Sequence, residues 1–476
     1  MPQFLEAFPE AKDPTIQGTL IATVSAPNRA FFSGLNPFQI LMAAALASLS
    51  SGSVSNSISR KYTILIGAAV GAVGCFIQAA SVKFWMLIVG RFIAGLGEGW
   101  FLNTISVYLI EISPPAVRGR TACTTQLLIT IGIVIGYFMC YGSVSMQSSL
   151  SFRIPFIVQG IVCLILALGT YFIPYSPRWL ITKGREEEAW EIIAMFDSEG
   201  ANHQREKIED AIRREQEHQA ELARERESTN LTVEHDSGVL LSLWRAFKQN
   251  EHIAAVAETF EKEPRSRTIF GIALMGMQQL SGIDAVLFYA PVLFAQAGLS
   301  TQKASFFASG VSGIINFMST LPAQVYLMDK WGRRPSCITG GLFMCVCMLS
   351  IGALYASGAT AYAGGRWAVI VLIYILTTEM QPARTRATAS ALAQTSNWLV
   401  NVIVALTTPI FLSKSPSGPY FMFGGFLLIT SVVCVLWAPE TLGKTLEDID
   451  SAWDERTEAI NAHSLSVHQW MTRTSP

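Results

Sequence analysis

Long apolar stretches separated by short polar ones run through most of the chain. An α-helix needs about 20 predominantly apolar residues to cross a hydrocarbon core of about 30 Å. Ten stretches meet or approach that requirement, and the pattern predicts an all-α polytopic membrane protein. The predicted spans are 31–53, 62–80, 84–110, 121–142, 154–174, 268–298, 304–328, 336–356, 388–413 and 418–438.

An eleventh apolar stretch, at 366–379, is unusually short. Twelve residues separate Arg366 from Glu379, and they reach about 18 Å in a helix. If this stretch crosses the membrane, all the clusters of Lys and Arg in the loops fall on one side. Such clusters mark the cytoplasmic side. We therefore predict eleven spans, of which this one has lost about a dozen residues relative to an ordinary span.

The chain divides at a charged region between the fifth and sixth predicted spans. This region shows no sustained apolar stripe, so we interpret it as a solvated linker with short helices. The predicted divisions are an extramembrane segment 1–30, a five-span bundle 31–176, a cytoplasmic linker 177–267, a six-span bundle 268–440 and a cytoplasmic tail 441–476.

The two halves repeat short motifs in register. "NSISRKY" (56–62) aligns with "DKWGRRP" (329–335), and "EISPPAVRG" (111–119) aligns with "EMQPARTRA" (379–387). Duplicated halves joined by a cytoplasmic loop predict two bundles, a central site and alternating access. Five spans before the linker and six after it predict that the chain lacks the helix that would precede the first half.

The repeated motifs place arginines and glutamates at cytoplasmic helix ends. Arginine pairs with carboxylates and with exposed carbonyls at helix C-termini. We expect these residues to form a cytoplasmic latch that holds the outward-open state, and we expect it to be weaker in the first half. The alternative is that the positive charges only anchor the helix ends on the cytoplasmic side of the membrane. The predicted latch residues are Glu111, Arg118, Arg178, Asp329, Arg333, Arg334, Glu379 and Arg386.

Composition excludes several other classes of protein. Charged residues make up 14% of the 476 residues, against about 25% in soluble domains. The net charge of −1 gives no bias towards nucleic acid. No metal-ligand spacing and no nucleophile–base pattern occurs, so we expect neither a metal nor a cofactor, and not an enzyme.

A set of ordered motifs resembles the sugar porter family of the major facilitator superfamily, and its fungal members most closely. The resemblance implies a twelve-helix, two-bundle fold that transports hexoses, pentoses or polyols, often with protons. Relative to that family, the first helix and part of the tenth are absent. The motifs are "GRFIAGLGEG" (90–99), "VYLIEISPPAVRGR" (107–120), "PYSPRWL" (174–180), "QQLSGID" (278–284), "DKWGRRP" (329–335), "NWLVN" (397–401) and "PETLGKTLEDID" (439–450).

The resemblance also implies a substrate site rich in amides. Amides donate and accept hydrogen bonds, as sugar hydroxyls require, and an indole offers an apolar face. For each amide, an inter-helix hydrogen bond is the alternative. The implied residues are Gln126, Gln278, Gln279, Asp284, Asn316, Asn397 and Trp398; Asp284 stands where the family usually has asparagine.

Two acidic residues within predicted spans are candidates for proton coupling. Asp284 lies among the amides, and Glu98 follows Arg91 by seven residues, which places both on one helix face. An acid inside a membrane is a functional hypothesis with a named partner, here Arg91. A structural Arg91–Glu98 ion pair is the alternative.

The sequence thus favours transport of a monosaccharide or related polyol across a lipid bilayer. We expect a proton-coupled ancestry and a plasma-membrane location, while the oligomeric state stays open. A non-transporting sensor or degenerate transporter is the second hypothesis, and a small-metabolite exporter is the third. Because one helix is short and another is absent, we expect the chain to transport slowly or to misfold.

Overall fold

The computed structural model describes residues 39–114, 118–143, 145–146, 148–196, 265–296, 302–322, 333–376 and 387–437. Within these ranges the protein is helical and contains no strand. The helices are α1 Gln39–Ile58, α2 Arg60–Ala79, α3 Phe84–Ile112, α4 Arg118–Ser143, α5 Leu150–Thr170, α6 Pro177–Thr182, α7 Glu186–Phe196, α8 Arg265–Leu280, α9 Ile283–Gln296, α10 Gln302–Pro322, α11 Arg333–Ala356, α12 Ala363–Leu376, α13 Ala387–Lys414 and α14 Gly418–Trp437.

The helices follow the apolar stretches closely. Seven helical segments in the described ranges are long and apolar enough to cross a membrane. The predicted span 84–110 corresponds to α3, and 418–438 corresponds to α14. The protein is therefore a multi-pass membrane protein, and the predicted all-α class is confirmed.

The short stretch forms a short helix. Helix α12 has 14 residues, which is about 21 Å at 1.5 Å per residue. Its inner face is packed, because Val369, Ile373 and Leu376 are fully buried. The polar end of the predicted span, from residue 377, lies outside the described residues.

The predicted span 268–298 contains a break between α8 and α9, and its segment Thr268–Val286 is long and apolar enough to cross a membrane. Gly282 lies at the break with a φ of +79°, and a Cβ on it would come within 2.5 Å of the Phe423 ring. This left-handed conformation and close contact both favour glycine. Hydropathy cannot detect such a break, since the residues on both sides remain apolar.

The helices form two groups, which meet mainly at two helix pairs. In the first half, α2 and α3 pack together, with α1 against α3 and α5 against α2. In the second half, α8 packs on α13 and α11 packs on α14. The groups meet where α1 packs on α13 and where α4 packs on α10.

The first-half motif "GRFIAGLGEG" produces an unusually close helix contact. A Cβ on Gly95 would overlap the backbone carbonyl of Ile40, and one on Gly99 would overlap that of Ala44. Small residues allow membrane helices to approach each other closely. The two glycines therefore fix α1 against α3, and thereby position the face that α1 presents to the second half.

Candidate functional site

A chain of amide hydrogen bonds links α8 to α13. Gln279 Nε2 donates to Asn397 Oδ1 at 2.8 Å. Asn397 Nδ2 donates in turn to Gln278 Oε1 at 3.3 Å. The structure thus brings together three of the predicted amides, across helices that are more than a hundred residues apart in the chain.

Asp284 continues this arrangement at the start of α9. Its Oδ2 accepts a hydrogen bond of 2.7 Å from Asn401 Nδ2. The break at Gly282 places Asp284 in the first turn of α9, where the positive end of the helix dipole stabilises a carboxylate. We call the five residues Gln278, Gln279, Asp284, Asn397 and Asn401 the amide seam.

The amide seam leaves specific acceptor atoms unused. Only the amide nitrogen of Asn401 can donate to a carboxylate, so its Oδ1 must point away. Asn401 Oδ1 and Gln279 Oε1 are buried, and no described residue donates to them. A buried acceptor without a donor is costly. A hydroxyl-bearing ligand that donates here would remove that cost.

Two predicted site residues lie at the other contact between the halves. Asn316 on α10 is buried, and its Oδ1 accepts a 3.2 Å hydrogen bond from Thr320. Gln126 on α4 is half-buried. The two helices pack together, but neither residue hydrogen-bonds to the amide seam in the described ranges. Tyr137, which also lies on α4, is close enough to Asp284 for the two side chains to interact electrostatically.

The indole of Trp398 occupies an apolar contact. It packs in a cluster with Leu41, Ala44 and Val402, where α1 meets α13. The side chain is 9% exposed, and no described residue accepts a hydrogen bond from its Nε1. The ring therefore helps to join the two halves, in addition to any face it offers to a substrate.

Arg91 and Glu98 share helix α3 but do not pair. Among the described residues, no hydrogen bond or salt bridge joins them. The Arg91 guanidinium lies over the Phe156 ring instead, with its Cζ 5.8 Å from the ring centroid. Seven residues span about 10 Å along a helix, which is too far for direct contact unless the side chains converge.

A second polar cluster lies at the predicted cytoplasmic end of the first half. Arg60 Nε and Nη2 each donate to one Glu111 carboxylate oxygen at 2.9 Å. Ser176 Oγ also donates to Glu111 Oε2, at 2.5 Å. Both charged side chains are less than 10% exposed. This Arg60–Glu111 pair connects α2 to α3 and therefore lies inside one bundle.

The other predicted latch residues are described only in part. Arg334 donates to the Val435 carbonyl in the last turn of α14, at 2.7 Å. This is the contact expected between arginine and a helix C-terminus. Arg178 lies in α6. Three of the remaining latch residues lie outside the described residues, namely Asp329, Glu379 and Arg386. For Arg118 and Arg333 only the backbone is described.

An aromatic cluster covers this end of the first half. The rings of Tyr175 and Trp179 stack with centroids 5.6 Å apart. The Lys61 ammonium and the Arg185 guanidinium lie 5.2 and 5.4 Å from the Tyr175 ring centroid. A hydrogen bond with the Tyr62 hydroxyl raises the pKa of Tyr175 above the usual value for a tyrosine. Cation–π contacts thus hold Tyr175 at this position.

Comparison with known proteins identifies the family. The sequence pattern of the family described as "Sugar (and other) transporter" matches residues 35–453. The chain belongs to this family. The resemblance to sugar porters of the major facilitator superfamily is therefore confirmed.

Individual relatives and solved structures agree with this assignment. The high-affinity glucose transporter of Kluyveromyces lactis is 29% identical over 449 residues, which cover 87% of this chain and 76% of the relative. A probable quinate permease of Aspergillus flavus is 29% identical over 438 residues, covering 86% and 77%. The E. coli xylose transporter XylE, in a partially occluded inward-open conformation, superposes with a TM-score of 0.67 at 21% identity, covering 91% and 94%. This last match shows a common fold.

Asn401 and Arg60 carry central contacts of these clusters but were not among the predicted site residues. Asn401 ends the motif "NWLVN", four residues after Asn397 and on the same helix face. Arg60 aligns with Arg333 in the internal repeat. Helix periodicity could therefore have identified Asn401, and the alignment of the two repeats could have identified Arg60.

Proposed function

We propose that this protein carries a neutral monosaccharide or related polyol across the membrane by alternating access. The observation that supports this most is the amide seam, with its buried acceptors at Gln279 and Asn401. Sugar hydroxyls donate to such acceptors and also accept from amide nitrogens. The similar glucose and xylose transporters are named for neutral polyhydroxylated sugars, whereas the similar quinate permease is named for a polyhydroxylated acid.

The packing of the helices supports movement of two rigid groups. The halves meet mainly at two helix pairs, α1 with α13 and α4 with α10, with a smaller contact between α3 and α13. The Arg60–Glu111 pair and its bond to Ser176 lie within the first group. We propose that these bonds keep the first bundle rigid while the two bundles rock about the helix contacts between them.

Proton coupling is part of this proposal. Asp284 contacts the amide seam directly, and Glu98 lies within α3 with no ion-pair partner in the described residues. A carboxylate that is free of a cation can take up and release a proton during the cycle. We propose Asp284 as the first candidate and Glu98 as the second, in a protein of the plasma membrane.

The main alternative is a non-transporting sensor or a degenerate transporter. The short helix α12 favours it, because 14 residues reach only about two thirds of the way across the hydrocarbon core. The amide seam is formed by α8, α9 and α13 and not by α12, so substrate binding can persist where transport is slow. The test must therefore measure both.

The experiment uses the full chain in yeast cells that lack their own hexose transporters. Uptake of radiolabelled glucose and xylose is measured beside sugar-dependent thermal stabilisation of the purified protein. We expect saturable responses that weaken in Asn397→Ala. Stabilisation without uptake would support the sensor or degenerate alternative. No response to any neutral sugar in either assay would overturn the proposed function.

A further inference from the structure

Two cysteine thiols meet inside the first group of helices, away from the amide seam. Cys75 lies on α2 and Cys163 lies on α5, and both are free thiols. The Cys75 thiol donates a hydrogen bond to the Cys163 sulfur. The two residues are far apart in the chain, so their contact depends on the packing of α2 against α5. The proposed transport cycle uses neither thiol.

Glycines bring the two helices close together at the height of these thiols. A Cβ on Gly71 would lie 3.7 Å from Cys163 Sγ. Cys75 follows Gly71 by four residues and therefore lies on the same face of α2. In the same turn of α5, a Cβ on Gly160 would lie 3.0 Å from the Phe76 ring. Such close packing favours the short separation of backbones that a disulfide requires.

The two thiols differ in accessibility. Cys75 is 1% exposed, whereas Cys163 is half-buried. A hydrogen bond donated to a sulfur stabilises its thiolate form, and the thiolate is the form that reacts with oxidants. Because Cys163 accepts that bond and is the more accessible thiol, we expect it to be oxidised first. Cys75 then lies in place to react with the oxidised sulfur.

We propose that Cys75 and Cys163 are an oxidation-sensitive pair, which a peroxide converts into a disulfide that fixes α2 to α5. With hydrogen peroxide, the Cys163 sulfur attacks one oxygen and the O–O bond breaks. This step gives a sulfenic acid, and the other oxygen leaves as water with the thiol proton. The Cys75 sulfur then attacks the sulfenic sulfur, and the hydroxyl group leaves as a second water with the Cys75 proton. Two electrons pass from the sulfurs to the peroxide.

The test treats the purified full chain with hydrogen peroxide and then alkylates every thiol that remains. Mass spectrometry of the unreduced digest identifies linked peptides, and a reductant should reverse the link. We expect a Cys75–Cys163 link whose mass is lower than that of the two thiol peptides by two hydrogens. We also expect the unfolding temperature to rise by about 5 °C, since a disulfide that closes a long loop restricts the unfolded chain.

Serine variants identify the thiols that are responsible. Cys75→Ser and Cys163→Ser should each abolish both the link and the rise in unfolding temperature. Cys434→Ser is the matched control, because Cys434 is also buried in a long helix but lies on α14, in the second half. This variant should keep the link and the rise.

Three results would overturn the inference. The first is a peroxide-treated wild type in which Cys75 and Cys163 are both still alkylated. The second is a disulfide that joins other cysteines, or a Cys163 that is oxidised without becoming linked. The third is a complete Cys75–Cys163 link that leaves the unfolding temperature unchanged, because such a link would not fix α2 to α5. The measurement involves no sugar, so its result is independent of the proposed function.

Discussion

Two carboxylates in this protein have opposite environments. Glu111 faces an arginine, accepts two hydrogen bonds from it and accepts a third from Ser176. Asp284 accepts from two neutral amides, those of Gln279 and Asn401, and forms no salt bridge within the described residues. A compensated carboxylate holds helices together, since its charge is satisfied inside the fold. An uncompensated one remains open to a proton or to a ligand, which is why only Asp284 enters the proposed transport cycle.

The largest effect is expected from breaking the compensated pair. Glu111→Ala leaves the buried Arg60 guanidinium without its partner, which costs about 3–5 kcal/mol. We expect a large loss of folded protein and a much lower unfolding temperature in detergent. Glu188→Ala is the control, because the side chains of the Arg185–Glu188 pair are 44% and 48% exposed and solvent screens such a pair, so its loss should matter little. Equal losses in the two variants would refute the structural role of the Arg60–Glu111 pair.

The next effect is expected at the centre of the amide seam. Asn397→Ala removes its hydrogen bonds with Gln279 and Gln278 and leaves Gln278 Oε1 without its donor. Unsatisfied buried groups cost about 1–3 kcal/mol each, so we expect sugar affinity to fall by about tenfold or more. Ser396→Ala is the control, because Ser396 only donates to the Ile272 carbonyl. Apparent affinity from uptake curves should change far less in this control.

A smaller and more selective effect is expected from Asp284→Asn. The folded protein should be retained, since an amide replaces a carboxylate of the same shape and no ion pair is broken. We expect the part of uptake that an inward proton gradient stimulates to be lost. Glu98→Gln, measured beside it, tests the second candidate. If uptake by Asp284→Asn keeps its pH dependence, Asp284 does not take part in proton coupling. The structural role of Glu111 would be unaffected by that result.

The smallest effect is expected in the aromatic cluster beside Glu111. Lys61→Ala removes a cation from the Tyr175 ring and a hydrogen bond to the Tyr171 carbonyl. At an exposed site such a contact contributes about 0.5–1 kcal/mol. We expect a shift of the unfolding temperature well below that of Glu111→Ala. A loss as large as that of Glu111→Ala would mean that the cation–π contacts share the role of the ion pair.

The sequence alone determined the helices and the family. Hydropathy predicted helix bounds such as those of α3 and α14 within a few residues, because lipid solvation forces long apolar helices. The short helix α12 was also predicted, since length is a local property. The break at Gly282 was not, because the residues on both sides of it remain apolar and hydropathy does not report a change in the backbone.

Only the tertiary structure decided which predicted residues meet. Gln278, Gln279 and Asn397 came together, with Asn401 joining Asp284. Trp398 instead packs where α1 meets α13, and Arg91 and Glu98 stayed apart. The physical reason is that hydropathy and periodicity specify which face of a helix is apolar or polar. Which other helix packs against that face, and at what height, depends on contacts between residues distant in sequence, such as the close approach of α1 to Gly95 and Gly99.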